Sequence, residues 1–130
     1  MKKSRITMKY RRWMLISAFI LSVVSANAAT QSLSEDDFNQ QIQQYIDIVN
    51  QTKTILDDPD TLVSAEAQQQ ALCQRIQAYQ DIVKLSNEYP KFENAMLMKW
   101  VAQNYLERQK VSLQSSGLNE GAICSAVHSL

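Results

Sequence analysis

The stretch 34–60, SEDDFNQQIQQYIDIVNQTKTILDDPD, decides how the rest of this chain is read. Phe38, Ile42, Tyr45, Ile46, Val49 and Leu56 fall within one arc at 3.6 residues per turn, the signature of an amphipathic helix. Ser34 supplies an N-cap oxygen, and Glu35, Asp36 and Asp37 place negative charge at the positive end of the helix dipole. The pattern predicts a helix from about Glu35 to Leu56. It should stop at Asp57-Asp58-Pro59-Asp60, because the residue before a proline resists the α conformation.

The same periodicity recurs downstream. A second helix is expected from the cap Ser64 to about Leu85, with Ala67, Ala71, Leu72, Ile76, Tyr79, Ile82 and Val83 on its apolar face. The turn Ser86-Asn87-Glu88-Tyr89-Pro90 follows, with Pro90 suited to the first turn of the next helix. A third helix should cover about Lys91 to Leu113, carrying Phe92, Ala95, Met98, Ala102, Tyr105 and Leu106 inward and closing at Gly117. A short fourth helix is opened by Asn119 and holds Ala122, Ile123 and Val127. The chain has only two glycines and two prolines, no internal repeat and no alternating strand pattern. The fold class expected is all-α: an antiparallel bundle of three long helices plus a short C-terminal one.

The N-terminus has a different character. Lys2, Lys3, Arg5, Lys9, Arg11 and Arg12 precede the apolar run Trp13–Val24, which is followed by Ser25-Ala26-Asn27-Ala28. Basic, apolar and small-residue segments in that order describe a signal peptide, residues 1–28, cleaved after Ala28 and directing export to the periplasm. The alternative is an uncleaved anchor, but Trp13–Val24 is shorter than the roughly 20 apolar residues that span a bilayer. Cleavage leaves a single helical domain, 29–130, of 130 − 28 = 102 residues. The whole chain carries 13 basic and 13 acidic residues; six basic residues leave with the signal, giving 7 − 13 = −6. An acidic domain argues against nucleic acid or anionic membrane as partner.

Cys73 and Cys124 are the only cysteines, and both lie in the exported part. In an oxidising compartment the pair reads first as a disulfide stapling the C-terminal element onto the second helix. A bridge between two subunits, or a redox or metal role, is the alternative. Cys73 is expected at the margin of the second helix's apolar face, about 60° beyond Ile76. Two cysteines and the lone His128 are too few for an evident metal site, so neither metal nor cofactor is expected. His128, three positions from the end of the domain, reads as a solvated tail residue rather than a catalytic base. Without a nucleophile elbow, metalloprotease helix motif or CxxC pair, the chain is not expected to be an enzyme.

Three surfaces are candidates for partner binding. Met96 and Trp100 are four apart on the third helix, outside its inward arc, with Val111 near the same angle. A fourth helix covering that stripe is one reading; a protein-binding or homodimer patch is the other. Asp57, Asp58 and Asp60 form an acidic turn that is either solvated or presented to a basic protein. Glu88, Tyr89 and Phe92 form a proline-braced corner with aromatic and charged groups.

The ending Ala26-Asn27-Ala28, an acidic helical domain of this size and the Cys73/Cys124 pair make the chain resemble the small periplasmic immunity proteins of bacterial type VI secretion systems. The resemblance implies binding and inhibition of a toxin delivered into the periplasm, often a peptidoglycan-degrading enzyme. It carries no motif that assigns contact residues. A periplasmic chaperone, or a structural subunit of an envelope complex, is the alternative function.

Overall fold

A computed structural model describes residues 32–60 and 62–125. The expected signal segment and cleavage site, Val127 and His128 lie outside the described residues. The described chain is all-helical: α1 Glu35–Leu56, α2 Ala65–Glu88, α3 Ala95–Ser115 and α4 Glu120–Cys124. None of these helices is long and apolar enough to cross a membrane.

Local chemistry sets most of the boundaries. The Ser34 hydroxyl accepts from the Asp37 amide at 3.1 Å, and Ser64 does the same for Ala67 at 3.2 Å, starting α1 and α2 where the sequence places their caps. Asn119 accepts from Ala122 at 2.8 Å to open α4. After α3, Gly117 takes φ 73°, and the Leu118 and Gly117 amides donate to the Leu113 and Gln114 carbonyls at 2.9 and 3.0 Å. That pattern is a Schellman closure, which needs a residue tolerant of the left-handed region.

Two boundaries differ from the sequence reading. Helix α2 continues past Leu85 to Glu88, since nothing before Tyr89 breaks it. Helix α3 starts at Ala95 rather than Lys91, so Pro90 lies in a turn and not in the first helical turn. The cause is aromatic packing. Short turns, Phe92 amide to Tyr89 carbonyl at 3.3 Å and Ala95 amide to Phe92 carbonyl at 3.1 Å, redirect the chain. Tyr89 and Phe92 thereby stack on each other at 5.4 Å, and both meet Phe38 edge-on, at 6.4 and 5.3 Å. The same corner is tied to α1 by the Glu93 amide on Glu35 Oε1, 2.8 Å, and by Asn94 on Asn39, 3.3 Å.

Helix α2 is the centre of the bundle, packing against α1, α3 and α4. The principal core joins Phe38 and Ile42 of α1, Ile82 and Leu85 of α2, and Ala95 and Ala102 of α3. The two alanines are fully buried, and their small side chains let α3 approach α2 closely. Cys73 and Ile76 point to another side of α2, yet both are buried because α4 covers them. Cys73 thus lies beside the principal core, at the margin of the α2 face, and is buried there by α4.

Helix α4 has five residues, too few to be stable alone. It is held by the Cys73–Cys124 disulfide, with Cα atoms 5.5 Å apart, and by Gln80 on Glu120 at 2.7 Å. Gln69 also donates to the Ile123 carbonyl. Closing a loop across 51 residues stabilises the fold by about 4 kcal/mol in the chain-entropy treatment. A Cys73→Ser/Cys124→Ser variant should melt well below the oxidised wild type in calorimetry and at about the same temperature as the reduced wild type. Equal melting of the variant and the oxidised protein would refute the staple.

Candidate protein-binding face

Helix α3 is apolar on two opposite sides. Ala95, Met98, Ala102 and Leu113 turn towards α2, whereas Met96, Leu97, Trp100, Val101 and Val111 are turned away from it and exposed. Met96 is 78% and Trp100 63% exposed. Neighbours three and four apart share one surface of a helix, so Met96, Leu97, Trp100 and Val101 form a contiguous apolar stripe. The reading in which a fourth helix covers this stripe is overturned: α4 packs on α2, where its disulfide lies. A stripe of this composition suits contact with a protein surface, since Trp and Met supply much apolar area.

The acidic turn is built differently. Asp57, the C-cap of α1, receives both terminal nitrogens of Arg75 at 3.0 Å each. Arg75 Nε donates to Thr52 Oγ1 at 2.7 Å, and Thr52 in turn donates to the Val49 carbonyl. Arg75 is a buried cation in the middle of α2, and Asp57 is its counter-ion. Burial works against its charge, but the Asp57 carboxylate, together with Tyr105, holds the guanidinium pKa above its ordinary value. Asp58 accepts from the Asp60 amide at 2.9 Å, closing the turn on itself, and both carboxylates face solvent.

At the other end of α2, Glu88 is exposed, while Tyr89 and Phe92 are half-buried in the contact with Phe38. Met96 begins the outer stripe one turn after Phe92. The structure thus brings the aromatic corner next to the stripe and sets the acidic turn at the opposite end of the bundle.

Arg75 went unnoticed in the sequence. Two signals could have found it: it falls inside the α2 arc of Ala71, Ala78 and Ile82, and an antiparallel α1 ends in an aspartate that its long side chain reaches. Tyr105 was expected inside, and it stacks on Tyr79 with centroids 4.1 Å apart.

Clefts flank the helices. One of about 680 Å³ lies between α2, α3 and the start of α4, with Ile76, Val83, Leu106 and Leu113 as floor. Another of about 350 Å³ lies between α1, α2 and α4. A third, about 200 Å³, separates α1 from α3. No group of three or more His, Cys, Asp or Glu able to hold a metal occurs among the described residues. No protein-family model, curated protein or solved structure matches this chain.

Removing one partner of a buried ion pair strands the other, at about 3–5 kcal/mol when both are buried. Asp57 is half-exposed, with its side chain at 52%, so water screens part of that cost. Asp57→Ala should destabilise by about 1–2 kcal/mol in urea unfolding, and Arg75→Met should cost less, because it leaves no buried charge. The reverse order would show that the pair does not carry the stability assigned to it.

Burial, then repulsion from Asp81 and Glu88, raises the Tyr45 phenol above 10.0. Burial likewise raises Tyr105 above 10.0, although Arg75 pulls the other way. Both phenols are held neutral in the fold, so their stabilisation is complete below pH 10.0 and is lost as pH rises through the raised values. Melting temperature should fall as pH rises above about 10, and fall less steeply in Tyr105→Phe. Identical alkaline slopes for the two proteins would remove Tyr105 from this account.

Proposed function

We propose that this chain is an exported immunity protein: it binds and inhibits a secreted antibacterial toxin in the periplasm. A peptidoglycan-degrading enzyme delivered by type VI secretion is the toxin class the sequence resemblance favours. The observation that carries the binding reading is the exposed stripe of Met96, Leu97, Trp100 and Val101 on a helix already packed on its other side.

Three further features support it. A bundle stapled at Cys73–Cys124 is ordered before binding, which lowers the entropy cost of association. The disulfide is compatible with an oxidising compartment. The acidic balance of the domain and the exposed Asp58 and Asp60 would speed encounter with a basic toxin, although they lie away from the stripe.

The same exposed stripe would serve a periplasmic chaperone, which would shield many clients rather than one, or a structural subunit of an envelope complex. Tight one-to-one binding separates the immunity reading from broad suppression of aggregation.

The test is co-expression with any secreted hydrolase found encoded beside this chain, combined with calorimetry. The wild type should protect the cell and bind that protein. Trp100→Ala should weaken binding about 30-fold, corresponding to a contact of about 2 kcal/mol, with the melting temperature unchanged. No protection and no binding would reject the immunity reading.

A further inference from the structure

The α1–α3 cleft has one closed and one open end. Asn94 donates to Asn39 and Phe92 lies on Phe38, which shuts it where the two helices begin. Beyond that point Tyr79 and Ile82 of α2 form the floor, with Ile46 and Val49 on one wall and Met98 and Val101 on the other. Val101 also belongs to the exposed stripe, so cleft and stripe form one continuous apolar surface.

Helices α1 and α3 run in the same direction, each antiparallel to α2. The Asn39–Asn94 pairing sets their register at 94 − 39 = 55. Carried along, it places Arg108 level with Lys53, since 53 + 55 = 108. Lys53 lines the cleft, and Arg108 follows Val101 by seven residues on the same side of α3. Neither is in an ion pair among the described residues. The acidic turn lies further along α1, and its Asp57 is already bound by Arg75. From Ile46 to Lys53 the α1 wall runs 53 − 46 = 7 residues, about 10 Å or two helical turns.

We propose that this surface seats an amphipathic helix of the partner protein, lying between α1 and α3 as a fourth helix of the bundle, with a carboxylate at the Lys53/Arg108 end. The inference rests on the partner-binding reading and names the element that binds. Helix-in-groove docking needs an apolar trough, here continued by the α3 stripe, and a polar end that fixes direction. A second copy of this chain is a poorer occupant. The apolar surface it has left to offer is its own α3 stripe, on a helix whose Lys99, Arg108 and Lys110 outnumber its one carboxylate, Glu107, so it brings net positive charge to the same cations.

The probes are two synthetic 16-residue amphipathic helical peptides with the same leucine face, one flanked by glutamates and one by lysines. Each is titrated calorimetrically into the oxidised protein. The glutamate peptide should bind about tenfold more tightly than the lysine peptide. Lys53→Glu should abolish or reverse that preference, Val101→Asp should weaken the glutamate peptide about tenfold or more, and Gln77→Ala, in the cleft on the α4 side of α2, should leave it unchanged. Absence of binding, equal affinity for both peptides, or indifference to Val101→Asp overturns the seat. So does sedimentation showing a dimer that Val101→Asp dissociates. If the neighbouring toxin binds with an affinity that Lys53→Glu and Val101→Asp leave unchanged, the seat is wrong and the toxin reading stands. If the peptides behave as expected but the toxin does not bind, the seat stands and the toxin reading is wrong.

Discussion

The buried guanidinium of Arg75 is the constraint around which the bundle is arranged. A cation inside a helical core is tolerable only with a counter-ion and hydrogen-bond acceptors at fixed positions. Asp57 meets it at 3.0 Å and Thr52 at 2.7 Å, both from α1. These contacts set the register between α1 and α2, and they use the residue that ends α1. Tyr105 brings α3 to the same place through its stack on Tyr79, so all three long helices converge there.

Because α2 is surrounded, the outer helices divide the remaining roles. Helix α1 is amphipathic in the ordinary sense, with Phe38, Ile42 and Val49 buried and acidic residues outside. Helix α3 is not, since it has more apolar residues than one interface can cover. A longer C-terminal helix could have covered the excess. Instead α4 is short and fixed to α2 by its cysteine, which leaves Met96 and Trp100 open to solvent. The bare stripe is thus a product of where the disulfide puts the last element.

What was legible in the sequence was whatever is encoded within a turn or two of helix. Ser34 and Ser64 marked two helix starts, Gly117 marked an end, and the four-residue spacing of Met96 and Trp100 placed them on one face. The disulfide was legible from a count of two. The start of α3 was not, because it depends on Tyr89 and Phe92 meeting Phe38 some fifty residues earlier in the chain. Arg75 escaped for the same reason: its partner is 18 residues away on another helix, where local spacing has no bearing. The placement of α4 on α2 was legible too, because the cysteine pair ties the last element to the second helix.

The disulfide also divides the chain topologically. The loop from Cys73 to Cys124 encloses the second half of α2 and all of α3, whereas α1 lies outside it. A single proteolytic cut anywhere between 74 and 123 therefore leaves two fragments still joined covalently. A cut in the turn after α1 releases α1 from any covalent link to the rest, and with it Asp57, the anion that neutralises Arg75. The vulnerable point of the molecule is thus the α1–α2 turn, far from the face that is exposed.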